Sequence, residues 1–347
     1  MKNRVAQLDW ARVFLTLSII ALHTTSTFIF SESGFRIFGV NLSFFINQAV
    51  RFGVPGFFIL SGAALNLSKA HESMSKFYVN RIKKIVLPYL FWYTIYFVVG
   101  LRLSGRAIEL VPFLKGLLRG NSAPHLYFIV VIIQLYLLYP LLRRLMDRYR
   151  RQTAAAAFVI GLFFQTLAYL AGLGKFGLPR DNNLYLMFFT WIHFFVLGMC
   201  ITPESLEKLC RRAGKLLPLT AVLFALSAVL VTLEGRAMGS YESGMRPWFF
   251  VYAPLALLLF LGLGTYLMRL TPLNTCVMHM SAISMDVYFI HVLVLMYLRR
   301  FPVFLAGTRG MLLLFMAVSV ISFLAAAMIS AAKKLCLRLL RPGHIKG

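Results

Sequence analysis

Ten stretches of about twenty mainly apolar residues run along the chain, and they restrict its fold more than any other feature. A helix of about twenty apolar residues is long enough to cross the hydrocarbon core of a bilayer. At that depth every backbone polar group needs a partner within the protein. The sequence therefore predicts an all-α polytopic membrane protein of about ten transmembrane helices. The stretches are 8–30, 42–68, 84–102, 124–142, 153–174, 183–201, 215–233, 246–268, 280–298 and 309–331.

The charge of the chain also fits a membrane protein. Of the 347 residues, 60% are hydrophobic and 14% are charged, whereas a soluble domain is about half apolar and a quarter charged. A formal net charge of +25 would suit a nucleic-acid partner. However, the basic residues lie mostly between the apolar stretches, where they orient helices and meet anionic lipid headgroups. We therefore expect membrane lipid, and no nucleic acid, as the partner of this charge.

The connections between the stretches predict orientation and domain organisation. Lysine and arginine are more frequent in the connections that share a side with the N-terminus, so both termini are expected in the cytoplasm and the protein in the cell membrane. The connections are short, and residues 1–347 are expected to form a single transmembrane domain. The first stretch is too long for a signal peptide. The four cysteines form no metal-type pair, and no metal is expected.

The first stretch carries ionisable residues where lipid disfavours them. Arg12 and His23 are eleven residues apart, which is about three helical turns, so they share one face about 16 Å apart along the axis. Asp9 is placed to pair with Arg12. One interpretation is that Arg12 extends to the headgroups and His23 is a packing histidine. The other is that both belong to a functional site, as intramembrane charges often do.

Further polar residues lie at a similar depth in other stretches. Arg51 lies in the second stretch and needs a buried acceptor, an anionic ligand or water, because its guanidinium stays charged. His125 begins the fourth stretch and His291 lies near the middle of the ninth. Each histidine alone is more often structural. Together with Arg51 and His23 they suggest a polar cavity that opens outward.

A basic cluster follows the second stretch and includes Arg81 and Lys84. Positive-inside topology alone explains many such clusters. The functional alternative is a phosphate clamp for a nucleotide-like cofactor. Arg12 and this cluster together suggest a cationic opening on the cytoplasmic side.

Five segments resemble the acyltransferase-3 family of membrane acyltransferases, which includes surface-polysaccharide O-acetyltransferases. The resemblance runs over nearly the whole chain, and the order and spacing of the segments make it specific. Ser61 lies in the part that is similar to the FFxxSG pattern of the family, and we keep it as a further candidate. The segments are LDWARVFLTLSIIALH, VPGFFILSGAALNL, FYVNRIKKIVLPYLFWY, HLYFIVVIIQLYLLYPLL and ISMDVYFIHVLVL.

The resemblance implies an acyl-CoA donor, usually acetyl-CoA, bound from the cytoplasm, and a sugar hydroxyl of an envelope glycan or lipid-linked sugar as acceptor. By position, Arg12 and His23 match the helix-one pair of the family. Arg81 and Lys84 match its RxxR pair, although lysine lacks the bidentate fork of arginine. We expect no fused extracellular esterase-like domain. The protein would then either complete transfer alone or pass the group to a separate extracellular acyl-accepting protein.

The chemistry of these side chains suggests a role for each. A neutral His23 is suited to remove the proton of an acceptor hydroxyl, or to carry the acyl group transiently. Arg51 is suited to stabilise an oxyanion or to hold an anionic acceptor. Asp9, Ser61, His125 and His291 are further candidates. The alternatives are a transporter or flippase for a polysaccharide or lipid-linked sugar and, less favoured, a membrane sensor or scaffold.

Overall fold

The computed structural model describes residues 5–30, 35–37, 39–68, 73–105, 107–175, 177, 183–238 and 245–339, and this part of the chain is almost entirely helical. A single antiparallel hairpin of two-residue strands, β1 (Arg36–Ile37) and β2 (Val40–Asn41), interrupts the helices within it. The prediction of an all-α membrane protein is confirmed. The α-helices are α1 (Ala6–Thr25), α2 (Leu42–Ala49), α3 (Gly53–Leu67), α4 (Met74–Arg81), α5 (Leu87–Ser104), α6 (Leu110–Arg119), α7 (Tyr127–Gly172), α8 (Phe188–Met199), α9 (Pro203–Lys215), α10 (Leu217–Met238), α11 (Phe249–Leu267), α12 (Thr271–Ala282), α13 (Ser284–Leu298) and α14 (Gly307–Leu339).

The described helices include six segments that are long and apolar enough to cross a membrane, or up to eight if each of two bent helix pairs is one span. The bent pairs are α8 with α9, at 91°, and α12 with α13, at 74°. Each of the ten predicted stretches contains helix. α1 is not among the six segments, and it carries Asp9, Arg12 and His23. The count of ten crossings stays a prediction.

α7 contains both the fourth and the fifth predicted stretch. It has 46 residues, which is about 69 Å of helix against a hydrocarbon core of about 30 Å. The backbone of Tyr149 departs from helical geometry, with φ −134° and ψ 51°, and bends the helix there. The residues around the bend are strongly basic. α7 is therefore long enough to cross twice, with its polar centre at a membrane surface.

The second predicted stretch consists of two helices, α2 and α3, with a short break between them. α2 ends before Val50, whose backbone (φ −93°, ψ 1°) leaves helical geometry, and α3 begins at Gly53. Pro55 lies in the first turn of α3, where its missing N–H costs no helical hydrogen bond. The break therefore comes before the proline, and Arg51 lies in it.

α1 lies at the centre of the bundle and packs against α2, α3, α11, α12, α13 and α14. α3 and α8 approach each other closely. A Cβ atom at Gly62 would collide with the carbonyl oxygen of Phe195, and one at Gly198 would collide with that of Ile59. Small residues at such a crossing let two backbones touch, as is common in membrane bundles. This contact holds the α8 segment that contributes Trp191 to the site described next.

Candidate functional site

Three cavities lie around α1, α3 and α7, and each contains a predicted site residue. The Arg12 cavity has a volume of about 970 Å³ and lies between the start of α1, α9 and the end of α11. The Arg81 cavity, of about 260 Å³, lies between α4 and α7. The His23 cavity, of about 420 Å³, lies at the other end of α1. α1 therefore places Arg12 in one cavity and His23 in another.

Arg12 is held by a short polar network that joins α1 to α12. Its Nη1 donates to Ser281 Oγ at 3.2 Å and lies 3.8 Å from Asp9 Oδ1. Ser281 Oγ in turn donates to Asp9 Oδ1 at 2.6 Å. The predicted pair of Asp9 and Arg12 is present, and the buried carboxylate of Asp9 is therefore balanced by charge and by a hydrogen bond. Ser281 was not predicted from the sequence.

The Arg12 cavity also contains three cations that sequence analysis treated only as markers of topology. Arg211, Lys215 and Arg269 line it, together with Glu207. With Arg12 and Asp9 the lining carries four basic and two acidic side chains. Such a lining favours anionic groups, and arginine in particular matches the geometry of phosphate. The sequence shows Arg211, Lys215 and Arg269 at the ends of apolar stretches or between them. That they line the same cavity as Arg12 depends on how α9 and α11 pack against α1.

Arg81 and Lys84 do not share a cavity. The Arg81 guanidinium lies over the rings of Phe77 and Tyr136, at 5.1 and 5.4 Å from the ring centres, and Arg81 lines its cavity. Lys84 is exposed in a π-helical turn, Ile82–Val86, that follows α4. A π-turn changes the direction of successive side chains relative to an α-helix. The role of Lys84 stays a prediction without support from this geometry.

The Arg81 and Arg12 cavities adjoin each other. Ser68 lines both of them. Ser61 lines neither of them and lies about two helical turns from Ser68 on α3. It does not line the His23 cavity either, so a role for Ser61 stays a prediction.

Three predicted histidines meet at the far end of α1. The ring centres of His23 and His125 are 6.1 Å apart, those of His23 and His291 are 5.3 Å apart, and those of His125 and His291 are 5.0 Å apart. His125 and His291 are 2% and 1% exposed, whereas His23 is half-buried and lines its cavity. The prediction that these histidines share one region agrees with this geometry.

The partners of His291 decide which of its nitrogens carries the proton. Its Nδ1 lies 2.7 Å from the carbonyl oxygen of Tyr288, and a carbonyl accepts only, so Nδ1 is the donor in a neutral ring. Nε2 then has a lone pair, and it has no hydrogen-bond partner among the described residues. The hydroxyl of Tyr288 donates to the carbonyl oxygen of His125. His291 is therefore fixed in orientation beside His23, with an acceptor nitrogen available.

Arg51 shares the His23 cavity, as predicted. It lies in the break between α2 and α3, it is 9% exposed, and its Nη2 donates to Asn47 Oδ1 at 2.8 Å. Tyr127, Trp191 and Arg299 also line the cavity. Sequence analysis did not single out Trp191 and Arg299. An aromatic residue inside an apolar helix and an arginine at a helix end are both common, so the sequence does not mark these two residues. Only the packing of the helices shows that they line this cavity.

Arg246 is the most deeply buried cation that sequence analysis missed. It is the first residue of the eighth predicted stretch, 246–268, and was not named as a candidate; it is 0% exposed, and its Nη1 lies 3.7 Å from Glu234 Oε2. An arginine directly before the apolar run of α11 was a signal available in the sequence. Within the described residues, no group of three or more histidine, cysteine, aspartate or glutamate side chains is arranged to hold a metal ion.

A family model described as an acyltransferase domain, acyltransferase-3, matches residues 5–331. The chain belongs to the acyltransferase-3 family. An amino-acid racemase of Enterococcus faecalis is 26% identical over 96% of the chain, and the chain spans about half, 47%, of the length of that relative. A probable poly-beta-1,6-N-acetyl-D-glucosamine export protein of Staphylococcus aureus is 23% identical over 85% of the chain and 83% of the relative. No solved structure matches the chain significantly.

Membership of the acyltransferase-3 family agrees with the helical membrane fold. The family match spans α1 through most of α14 and so includes all three cavities. The family match therefore covers nearly the whole described bundle.

Proposed function

We propose that this acyltransferase-3 protein moves an acyl group, in the first place acetyl, from cytoplasmic acyl-CoA to a hydroxyl of an envelope glycan or lipid-linked sugar. The observation that carries the proposal is the placement of Arg12 and His23 by one helix in two different cavities. A transferase that takes its donor from one side and modifies an acceptor on the other needs such a pair of sites. We further propose that the protein lies in the cell membrane with both termini in the cytoplasm, an orientation that the excess of lysine and arginine on that side supports.

The Arg12 cavity suits the nucleotide part of CoA. Four basic side chains line it, and CoA carries several phosphates that arginine binds well. Its volume of about 970 Å³ lies at the upper end of the range for small-molecule sites. The adjoining Arg81 cavity adds Arg81, Arg143 and Arg144. We assign donor binding to Arg12 with Arg211 and Arg269, and give Arg81 a supporting role.

The His23 cavity suits the acceptor and the chemistry. A neutral His23 removes the proton of an acceptor hydroxyl while that oxygen attacks the thioester carbonyl, and the CoA thiolate leaves. In the alternative route a ring nitrogen of His23 attacks the thioester carbonyl and the CoA thiolate leaves. The acceptor hydroxyl then attacks the acylated ring, the acyl–nitrogen bond breaks, and the freed ring nitrogen takes the proton of the hydroxyl. Arg51 stabilises the negative charge that develops on the carbonyl oxygen. Tyr127 and Trp191 offer aromatic walls to a sugar ring.

Export of a glycan is the second candidate function. The observation that favours it is the similarity to a protein named as a probable poly-beta-1,6-N-acetyl-D-glucosamine export protein. An exporter would use the same polar cavities to move the sugar and would need no acyl donor. Movement of this glycan across vesicles that contain the purified protein, without acyl-CoA, would favour export over transfer.

The proposed function is tested by acyl transfer from acetyl-CoA with the purified protein. Release of free CoA and labelling of the cell-envelope glycan fraction of the host are measured together. Transfer with the wild type would support the proposal, whether to the glycan or to an added extracellular acyl-accepting protein. Absence of acetyl-CoA binding and of CoA release would contradict it and favour the exporter.

Arg211→Ala is expected to weaken donor binding about two- to fivefold, with kcat unchanged, because it removes one exposed cation from the Arg12 cavity. The effect should shrink at high salt. Arg12→Ala is a poorer test, because it also leaves the buried Asp9 carboxylate without its cation. Arg151→Ala, an exposed arginine outside the cavity lining, is the matched control. Equal effects of the two substitutions on the dissociation constant of acetyl-CoA would contradict the assignment.

A further inference from the structure

A buried chain of hydrogen bonds connects Arg246 to Arg51. Arg246 Nη2 donates to Gln48 Oε1 at 2.6 Å, and Gln48 Nε2 donates to Asn47 Oδ1 at 3.3 Å. Arg51 Nη2 donates to the same Asn47 oxygen at 2.8 Å. Arg246, Gln48 and Asn47 are each fully buried. The chain runs from the loop before α11, through α2, to the break at which Arg51 enters the His23 cavity.

The chemistry of arginine determines the direction of every bond in this chain. Arginine only donates, so the side-chain oxygen of Gln48 faces Arg246 and its NH₂ group faces Asn47. Asn47 Oδ1 then accepts from both Gln48 and Arg51. The two amide orientations, which are often ambiguous, are therefore settled by the two cations at the ends. A change of donor to acceptor at Gln48 would disturb the whole sequence of bonds.

Asn47 also connects the chain to the helix that carries His23. Its Nδ2 donates to the carbonyl oxygen of Leu22 at 3.0 Å and to Thr25 Oγ1 at 3.2 Å. Leu22 and His23 both line the His23 cavity. One asparagine therefore holds Arg51 through its oxygen and α1 through its nitrogen, and so relates the position of Arg51 to that of His23.

The other end of the chain is anchored to α10 and α7. Arg246 Nη1 donates to the carbonyl oxygen of Val231 at 2.7 Å and pairs with Glu234 at 3.7 Å. The hydroxyl of Tyr169 donates to Glu234 Oε1 at 2.9 Å. Arg246 is thus fixed independently of Arg51. A rigid support of this kind is what holds a functional side chain in a productive geometry.

We infer that Arg246, Gln48 and Asn47 are positioning residues, which hold the guanidinium of Arg51 toward the acyl group and acceptor in the His23 cavity. The inference rests on the proposed function, in which Arg51 stabilises the developing negative charge. The three residues act through Arg51 and touch neither donor nor acceptor. Their contribution therefore appears in the rate of transfer and not in donor binding.

Gln48→Glu is the sharpest test, because it changes one NH₂ group to an oxygen with almost no change in shape. The new carboxylate still accepts from Arg246, and more strongly, so the fold keeps its anchor. It no longer donates to Asn47 Oδ1, and it attracts Arg51 away from the cavity. We expect kcat to fall about 10- to 100-fold, with the KM for acetyl-CoA unchanged and the thermal unfolding midpoint at or above that of the wild type.

The same substitution is measured in an Arg51→Ala background, with acetyl-CoA and the cell-envelope glycan fraction as substrates. If Gln48 acts only through Arg51, Gln48→Glu lowers the remaining rate less than about twofold there, since residues that act as a unit are not additive. Gln134→Glu is the matched control. Gln134 is a glutamine of α7 that bonds the backbone of Leu186 and Phe188, and its substitution should leave kcat within about threefold of the wild type.

Three outcomes would overturn the inference. One is an unchanged kcat for Gln48→Glu. Another is an equal loss of rate with and without Arg51. The third is a loss explained wholly by a smaller folded fraction. If the wild type transfers no acyl group, the proposed function has failed. The coupling of Gln48 to Arg51 is then tested by the thermal unfolding midpoints alone. Shifts of Gln48→Glu and Arg51→Ala that fail to add would then support coupling of the two residues, and additive shifts would refute it.

Discussion

Replacement of His23 by alanine is expected to lower kcat for acyl transfer by about 10² to 10⁴, with donor binding unchanged. The size of the effect is that of a lost general base, because the acceptor hydroxyl then has no group to take its proton. His23 lines the cavity at the far end of α1, whereas Arg12 lines the basic cavity to which we assign donor binding. The dissociation constant of acetyl-CoA should therefore be that of the wild type. Steady-state kinetics and a binding titration together measure both quantities.

His193→Ala is the control for this substitution. His193 is also a half-buried histidine of an apolar helix, but it packs against the rings of Phe158 and Phe250, with ring centres 5.0 and 4.5 Å away, and does not line the His23 cavity. Its loss should affect stability more than kcat. A His23→Ala protein that folds and transfers at the rate of His193→Ala would remove His23 from the chemistry.

The route of transfer is open between a base and an acyl carrier, and His23→Ala distinguishes the two with one further measurement. An acyl carrier at His23 would release CoA from acetyl-CoA before any acceptor is added, in an amount close to one per protein molecule. A general base would release CoA only with acceptor present. Rapid-quench measurement of CoA release by the wild type, with His23→Ala as the blank, provides the answer.

Replacement of Arg51 by alanine is expected to lower kcat by about 10² to 10³, the usual size of effect when one donor to a developing oxyanion is removed. The guanidinium is charged, nearly buried and in the same cavity as His23. Its electrostatic interaction with a developing oxyanion is therefore stronger there than in water. Arg51→Lys should restore part of the rate, because it keeps the charge but loses the planar fork. The KM for acetyl-CoA should not change in either variant.

The effect of Arg51 on folding has to be separated from its effect on rate. Arg51 donates to Asn47 and lies where α2 and α3 break, so its loss will also lower stability. Rates are therefore expressed per folded protein, from size-exclusion profiles of each variant. Equal rates for Arg51→Ala and wild type on that basis would contradict an oxyanion role.

The sequence predicted the helical membrane fold and the polar face of α1 for physical reasons that are local. Apolar stretches of sufficient length can only be buried in lipid or in a bundle, and Arg12 and His23 lie on one face because helical spacing puts them there. The pair of Asp9 and Arg12 follows from the same spacing. These features need no knowledge of how the helices pack.

The parts that could not be predicted depend on tertiary contacts. The break at Arg51 precedes Pro55 because α2 ends early, and Tyr149 bends α7 without any proline at that residue. Arg246 is the first residue of the eighth predicted stretch, and only the structure shows that its side chain bonds to α2 and α10. Lys84 matched a family pair by spacing, yet a π-turn leaves it exposed.

The histidine cluster could be predicted only in part. The sequence placed His23, His125 and His291 at a similar depth, but depth alone does not bring three helices together. Their ring distances of 5.0 to 6.1 Å result from the packing of α1 against α13 and the start of α7. A histidine of an apolar stretch need not join this cluster, because His193 packs against the rings of Phe158 and Phe250 instead.

Reconstituted vesicles test directly whether the acyl group passes from a donor on one side of the membrane to an acceptor on the other. The purified protein is reconstituted with acetyl-labelled acetyl-CoA inside and the cell-envelope glycan fraction only outside. We expect label on the external glycan and loss of this label in His23→Ala. For protein whose N-terminus faces the lumen, we expect no label when acetyl-CoA is outside and the glycan fraction is inside. Labelling only when donor and acceptor are on the same side would contradict transfer across the membrane.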